Sequence, residues 1–199
     1  AEEHTAQLIV MATQGKGRLA HLLLGSTTER VLRYARCPVL VVEAGERDFV
    51  DPETLVVSMR RVVVADDFSE PASRALAWAV DFLGPYAPEV HLVHAVPDEV
   101  PAIYAMAGVR STLQLNPELQ GRIEGALQQR ATKALPPEWS FHPIVREGPP
   151  HKVLRDYALE IEADLVVVGA ESHLDLSERV AGGTTERIAR HAPCPVLVA

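Results

Sequence analysis

Residues 8–42 (LIVMATQGKGRLAHLLLGSTTERVLRYARCPVLVV) align without a gap onto residues 165–199, with fifteen of 35 positions identical. The identities include TTER at 27–30 and 184–187 and CPVLV at 37–41 and 194–198. A match this dense is not chance, so the chain carries the same strand, loop, helix and strand twice. The offset of 157 residues is the size of one ordinary domain, which excludes a solenoid of short repeats and indicates a duplicated domain. The second copy extends back to about Arg61, and subtracting the offset puts the start of the first about 96 residues ahead of Ala1. The expected organisation is therefore residues 1–44 as the C-terminal part of a first domain, 45–60 as a linker and 61–199 as a complete second domain.

The longer copy alternates strand and helix. Residues 61–66 (RVVVAD) form a nearly continuous apolar strand, the pattern of a parallel strand covered on both faces. Ser69-Glu70-Pro71 reads as a helix start, and Ala75, Leu76, Ala79, Val80 and Leu83 share one helical face before Gly84-Pro85. Further strands are expected at 89–96, 139–146, 164–169 and 195–199. Further helices are expected around Leu119–Ala134, around Val153–Ile161 and at 184–191. The fold class that follows is α/β, an open five-stranded parallel sheet with helices on both faces and right-handed crossovers. Residues 53–58 read as one added strand in the linker, and 97–116 as an irregular stretch, first of all a surface loop with partial helix and alternatively a lid or a contact surface.

Composition narrows the function classes. With 19 Lys+Arg against 27 Asp+Glu and a net charge of −8, the chain has no surplus of cations to neutralise a nucleic-acid backbone or an anionic membrane. No apolar run reaches the roughly 18 residues needed to cross a bilayer, and the first fifteen residues lack a signal-peptide pattern. The expectation is a soluble, cytoplasmic protein. Cys37 and Cys194 occupy the same repeat position with no partner at metal-ligand spacing, and read as buried small hydrophobes. His91 and His94, three apart on a strand, point to opposite faces and do not share a metal. No metal site is evident on these grounds.

The informative segment is the loop inside the repeat. In the first copy the strand LIVMA runs into Gly15, nine residues follow, and Gly25-Ser26 opens a helix. Glycines permit close backbone approach, and amides feeding a helix N-terminus point at an anion above it. Gly15-Lys16 is not a P-loop, because the GxxxxGK[ST] spacing is missing. No GxGxxG fingerprint follows the strand at 61–66 either.

This spacing resembles the nucleotide-binding signature of the universal stress protein family: Gly, two residues, Gly, nine residues, Gly, then Ser or Thr. The resemblance extends through CPVLVV (37–42), DDFSEPASRAL (66–76), EVHLVHAV (89–96) and GPP (148–150), nearly the whole chain. It implies ATP or a related adenine nucleotide in the crevice at the strand C-termini, the place the switch-point rule also gives. In nucleotide-binding members the Asp after the first strand meets ribose and adenine, the second strand supplies an apolar adenine contact, and the glycine loop holds ribose and phosphates. Carried over to the second copy, these positions are Ala65, Asp66 and Asp67, then Ala95, then Val168, Gly169, Ser172, Gly182, Gly183 and Thr184. In the first copy they are Met11, Ala12, Gly15, Gly25, Ser26 and Thr27. The resemblance also implies that the closing strands, here 38–42 and 195–199, pair across a twofold axis as an internal pseudo-dimer. A homo-oligomer is compatible with it.

Departures from the pattern separate the copies. The first copy changes only the leading Gly, to Ala12. In the second copy the middle Gly is Ser172 and the Ser is Gly183, and Glu171, Asp175 and Glu178 place carboxylates where phosphate oxygens would sit. The second copy is expected to bind triphosphate weakly or not at all. Ser26-Thr27-Thr28-Glu29 also reads as a helix capping box, a role that needs no ligand. Asp66-Asp67 has no accompanying nucleophile motif, so no catalytic residue is assigned, with weak ATPase activity the most the chemistry would reach. The leading expectation is a nucleotide-responsive stress regulator without strong catalysis. The alternative is a nucleotide-independent interaction module that uses the 97–116 segment.

Overall fold

A strand apolar at every interior position needs cover on both faces, and the computed structural model provides it. The structure describes residues 6–12, 25–42, 49–51, 53–170 and 183–199. In chain order the elements are β1 (Ile9–Ala12), α1 (Ser26–Tyr34), β2 (Val39–Val42), β3 (Arg61–Ala65), α2 (Glu70–Leu83), β4 (Glu89–Val96) and α3 (Ala102–Met106). They continue with α4 (Thr112–Leu115), α5 (Pro117–Ala134), β5 (Phe141–Glu147), α6 (Pro150–Glu160), β6 (Leu165–Val168), α7 (Thr184–His191) and β7 (Val196–Val198). No described helix is long and apolar enough to cross a membrane.

The strands form one sheet in the order β1-β2-β7-β6-β3-β4-β5. From β7 to β5 every neighbouring pair is parallel, giving the expected five-stranded parallel unit. Period-two alternation then divides the core. Val62 and Val64 meet α2 and α5 on one face, and Val63, with Val166 and Val168, meets α6 and α7 on the other. Helix α2 starts where the Ser69 hydroxyl accepts the Ala72 amide at 3.2 Å, with Pro71 in its first turn. Its buried face is Ala72, Ala75, Leu76, Ala79 and Leu83. A fully buried leucine such as Leu83 contributes about 2 kcal/mol of transfer free energy. At the start of the sheet, Asp164 Oδ2 accepts the amides of Arg60 and Arg61 at 2.7 and 3.0 Å, locking β3 beside β6.

The repeat units meet edge to edge. β2 joins β7 antiparallel with Leu40 opposite Leu197, and these two leucines occupy the same position of the repeat. An approximate twofold axis therefore passes between them. It also relates the Arg33–Glu186 ion pair (3.1 Å) to Arg190–Glu29 (3.2 Å), which join α1 to α7. Within each unit the helix is fastened to its strand in the same way. Thr28 donates to the Ala12 carbonyl and Thr185 to the Gly169 carbonyl, both at 3.2 Å.

Two local expectations change and a third is filled in. Residues 53–58 form no strand; Val50 and Val57 make a single antiparallel bridge around a turn in which Asp51 Oδ1 accepts the amides of Glu53 and Thr54. That side chain satisfies the amides a ladder would have used. Ser26 is not a cap: α1 is preceded by Gly25 without a side-chain cap bond, and Ser26 is its first helical residue. The 97–116 stretch carries the partial helix read for it, as α3 and α4, and is tied down. Ser111 Oγ donates to Glu147 Oε2 at 2.5 Å, the Thr112 amide donates to Glu147 Oε1, and Thr112 Oγ1 donates to the Pro97 carbonyl at 2.9 Å.

Candidate functional site

The chain leaves β3 through α2 to reach β4 on one side, and returns through α6 to place β6 on the other side of β3. At that reversal the loops after β3 and β6 diverge and leave a crevice above the strand C-termini. A cavity of about 440 Å³ occupies it, a size suited to a small organic ligand. Its lining combines apolar side chains (Ala65, Val93, Ala95, Leu154, Val168, Ile188) with a polar rim of Asp67, Ser69, Thr184 and Thr185.

The two adjacent carboxylates do different things. Asp66 is buried; its Oδ1 accepts the Phe68 amide at 2.8 Å and its Oδ2 lies 2.6 Å from Arg130 Nε, an ion pair outside aligned hydrogen-bond geometry. Burial pushes the Asp66 carboxyl above its ordinary value, against the Phe68 amide and Arg130, which lower it. Asp67 is exposed on the rim, and its Oδ1 accepts the Ser69 amide at 2.9 Å. Partial burial raises the Asp67 carboxyl, but the Ser69 hydroxyl and amide outweigh that and hold it below its ordinary value. Directly after them, Phe68 turns the chain at a positive φ of 65°, a strained conformation for an aromatic residue. Its ring is held against His94 at 5.0 Å and beneath Arg130 at 5.9 Å.

Gly169, at the end of β6, passes so near the start of α2 that a Cβ there would lie 2.7 Å from the Pro71 carbonyl carbon and 2.9 Å from the Ala72 nitrogen. Only glycine lets β6 and α2 close the back of the crevice this tightly. On the opposite wall α7 begins at Thr184 after Gly183, a cap residue with no side chain of its own. The positive end of its dipole therefore lies beside the cavity.

Of the residues expected in the second copy, Ala65, Asp66, Asp67, Ala95, Val168, Gly169 and Thr184 line this one cavity, and Gly183 precedes α7 at its edge. Gly182 and Ser172, with the acidic Glu171, Asp175 and Glu178, lie outside the described residues. In the first copy Met11 and Ala12 end β1, Gly25 precedes α1, and Ser26 and Thr27 begin it, while Gly15 lies outside the described residues.

Sequence reasoning missed Arg130. From α5 it reaches Asp66, the Ser69 carbonyl (3.3 Å) and Ser73 Oγ (2.6 Å), bracing the loop that presents Asp67. Nothing in its spacing identifies it, because its partners are about sixty residues away. Leu154 and Ile188, which also line the cavity, carry no sequence signal beyond membership of their helices.

The chain matches the family model described as the universal stress protein family over residues 1–43 and 59–199. A universal stress protein of Mycobacterium tuberculosis (strain ATCC 25618 / H37Rv) is 29% identical across 98% of this chain and 62% of its own length. One from Methanocaldococcus jannaschii is 28% identical across 70% of this chain and 81% of its own length. Among solved structures, a universal stress protein from Archaeoglobus fulgidus superposes with a TM-score of 0.61 at 23% identity, covering 100% of this chain and 62% of that one. The fold is shared with it. The chain spans about 62% of the length of the first curated relatives it matches. By a family model that covers both repeat units, this chain belongs to the universal stress protein family.

Proposed function

We propose that the cavity between β3 and β6 binds an adenine nucleoside or nucleoside monophosphate, and that the protein is a nucleotide-responsive stress regulator without strong catalysis. The observation that carries this reading is the apolar cavity with Asp67 on its rim and the N-terminus of α7 on its far wall. The base would lie against Ala65, Val93 and Ala95. The ribose hydroxyls would donate to Asp67, which stays ionised and keeps its acceptor capacity. A single phosphate would meet the start of α7 beside Thr184. The acidic residues between 171 and 178 disfavour a longer, more highly charged phosphate chain. Residues 1–44 are read as the closing part of a first domain, docked through β2.

Isothermal titration of the whole chain with adenosine, AMP and ATP tests the reading. AMP is expected to bind more tightly than ATP, and Ala95→Leu, which fills the floor, is expected to abolish both. Failure of every adenine compound to bind would overturn it.

A second reading is favoured by one observation. Helix α3 exposes Ile103 (73%), Tyr104 and Met106 (90%) on a segment fastened at both ends, as a nucleotide-independent docking surface would. Released adenine nucleotide, read as absorbance at 260 nm after denaturing the purified protein, favours the first reading over this one.

A further inference from the structure

Strand periodicity puts Glu89 and His91 on one face of β4, and the parallel β4–β5 register sets His142 directly beside His91. The three side chains converge at the opposite end of the strands from the nucleotide cavity. Glu89 Oε1 lies 2.6 Å from His142 Nε2 and 3.7 Å from His91 Nε2, and the two imidazoles stack with centroids 4.9 Å apart. The ligand atoms of all three residues fall within 4.8 Å of one another. His91 is only 6% exposed, and its Nδ1 lies 2.8 Å from the Tyr157 hydroxyl on α6. Its Nε2 is buried, faces the Glu89 carboxylate and has no hydrogen-bond partner among the described residues.

A carboxylate and one imidazole would need no further explanation, since Glu89 and His142 make an ordinary surface pair. His91 is what that account leaves out. A buried imidazole nitrogen without a partner, aimed at a carboxylate and a second imidazole, marks a position for an atom that accepts lone pairs from all three. We propose that Glu89, His91 and His142 form a binding site for a late first-row divalent metal ion, Zn2+ above all.

The donor set fits that chemistry: two neutral imidazoles and one carboxylate bind Zn2+ and leave a fourth position for water. Tyr157 supplies the outer contact such sites use. By accepting a hydrogen bond from His91 Nδ1–H, its hydroxyl would fix the tautomer that presents the Nε2 lone pair to the metal. Ligand atoms at about 2.0–2.1 Å around a tetrahedral ion are about 3.3 Å apart, so Glu89 and His142 would open by roughly 0.7 Å. Both are about half exposed and free to do so by rotamer adjustment, while buried His91 keeps its place. The exposed side of the cluster gives the ion its path in. Once bound, the ion would pin the start of β4 to edge strand β5 and, through Tyr157, to α6.

The test uses the whole chain stripped with a chelator, then titrated with Zn2+ by calorimetry and with Co2+ by visible absorption. One equivalent is expected to bind, and Co2+ to develop the intense d–d bands of a low-coordinate nitrogen–oxygen site. Glu89→Gln and His142→Ala, both at half-exposed positions, are expected to weaken binding at least tenfold, while His151→Ala leaves it unchanged. Tyr157→Phe keeps the ring and removes the acceptor, and is expected to weaken binding 10–100-fold and shift the Co2+ spectrum. No saturable binding up to about 1 mM metal, or binding that Glu89→Gln and His142→Ala leave intact, would overturn the proposal.

Discussion

Arg33 Nη2 donates to Glu186 Oε1 at 3.1 Å, and both residues reappear at the same repeat positions in the Arg190–Glu29 contact across the seam. The two pairs make α1 and α7 charge-complementary in one relative orientation only. Reversing one charge, as in Glu186→Arg, sets like charges face to face. The expected result is a lower urea midpoint for Glu186→Arg and for Arg33→Glu, with recovery in the swapped double variant. A double-mutant cycle that gives no coupling would show the pair to be structurally idle.

Gly169→Ala is expected to destabilise the protein by about 1–3 kcal/mol, the usual range for overpacking, because the added Cβ meets the backbone of Pro71 and Ala72 rather than a movable side chain. The repeat-equivalent position already carries alanine, so Ala12→Gly is expected to change little. Equilibrium denaturation of the two variants side by side checks the asymmetry.

Arg130→Met removes the cation from a buried carboxylate, and about 3 kcal/mol of stability is expected to go with it at neutral pH. Burial already holds Asp66 above its ordinary 3.8, and losing Arg130 raises it further. The folded variant therefore binds the proton more tightly than its unfolded chain does. Its deficit is full above the raised pKa and shrinks as pH falls through it. Asp66→Asn in the same background is expected to restore most of the loss at pH 7.

Glu147 anchors the segment that carries α3. Burial raises its carboxyl, but hydrogen bonds from Ser111 and Thr112 overcome that and hold it below its ordinary 4.5. The anchoring is present above the unfolded value and lost as pH falls through the depressed folded one. Glu147→Ala is expected to speed amide exchange across residues 99–115 at pH 7 while exchange in β3 and β6 stays unchanged. Wild-type protein is expected to show the same loosening only at acid pH.

What the sequence revealed follows from where the interactions lie along the chain. Apolar runs such as Val62–Val64, the Ser69 start of α2 and the glycines around the repeat loop are local signals, and each marks its element to within a residue or two. The crevice residues were legible because a family pattern and the switch-point rule point to the same strand ends. Arg130 and the His91–His142 neighbourhood were not, since strand register and helix packing create them and no spacing encodes them. His94 is the nearest histidine to His91 in sequence, whereas its structural neighbour His142 lies on the next strand. Ser26 has the chemistry of a cap, but the helix boundary falls one residue earlier, at Gly25.

The pairing of β2 with β7 carries a consequence for assembly and for kinetics. Because one chain supplies both strands, their association is intramolecular and its equilibrium does not depend on protein concentration, so dilution alone does not open the seam. The same connectivity makes Leu40 and Leu197 a contact of very large sequence separation, the kind whose closure costs the most loop entropy. Refolding should therefore end with the docking of residues 8–42 as a distinct, slower phase whose rate does not change with protein concentration.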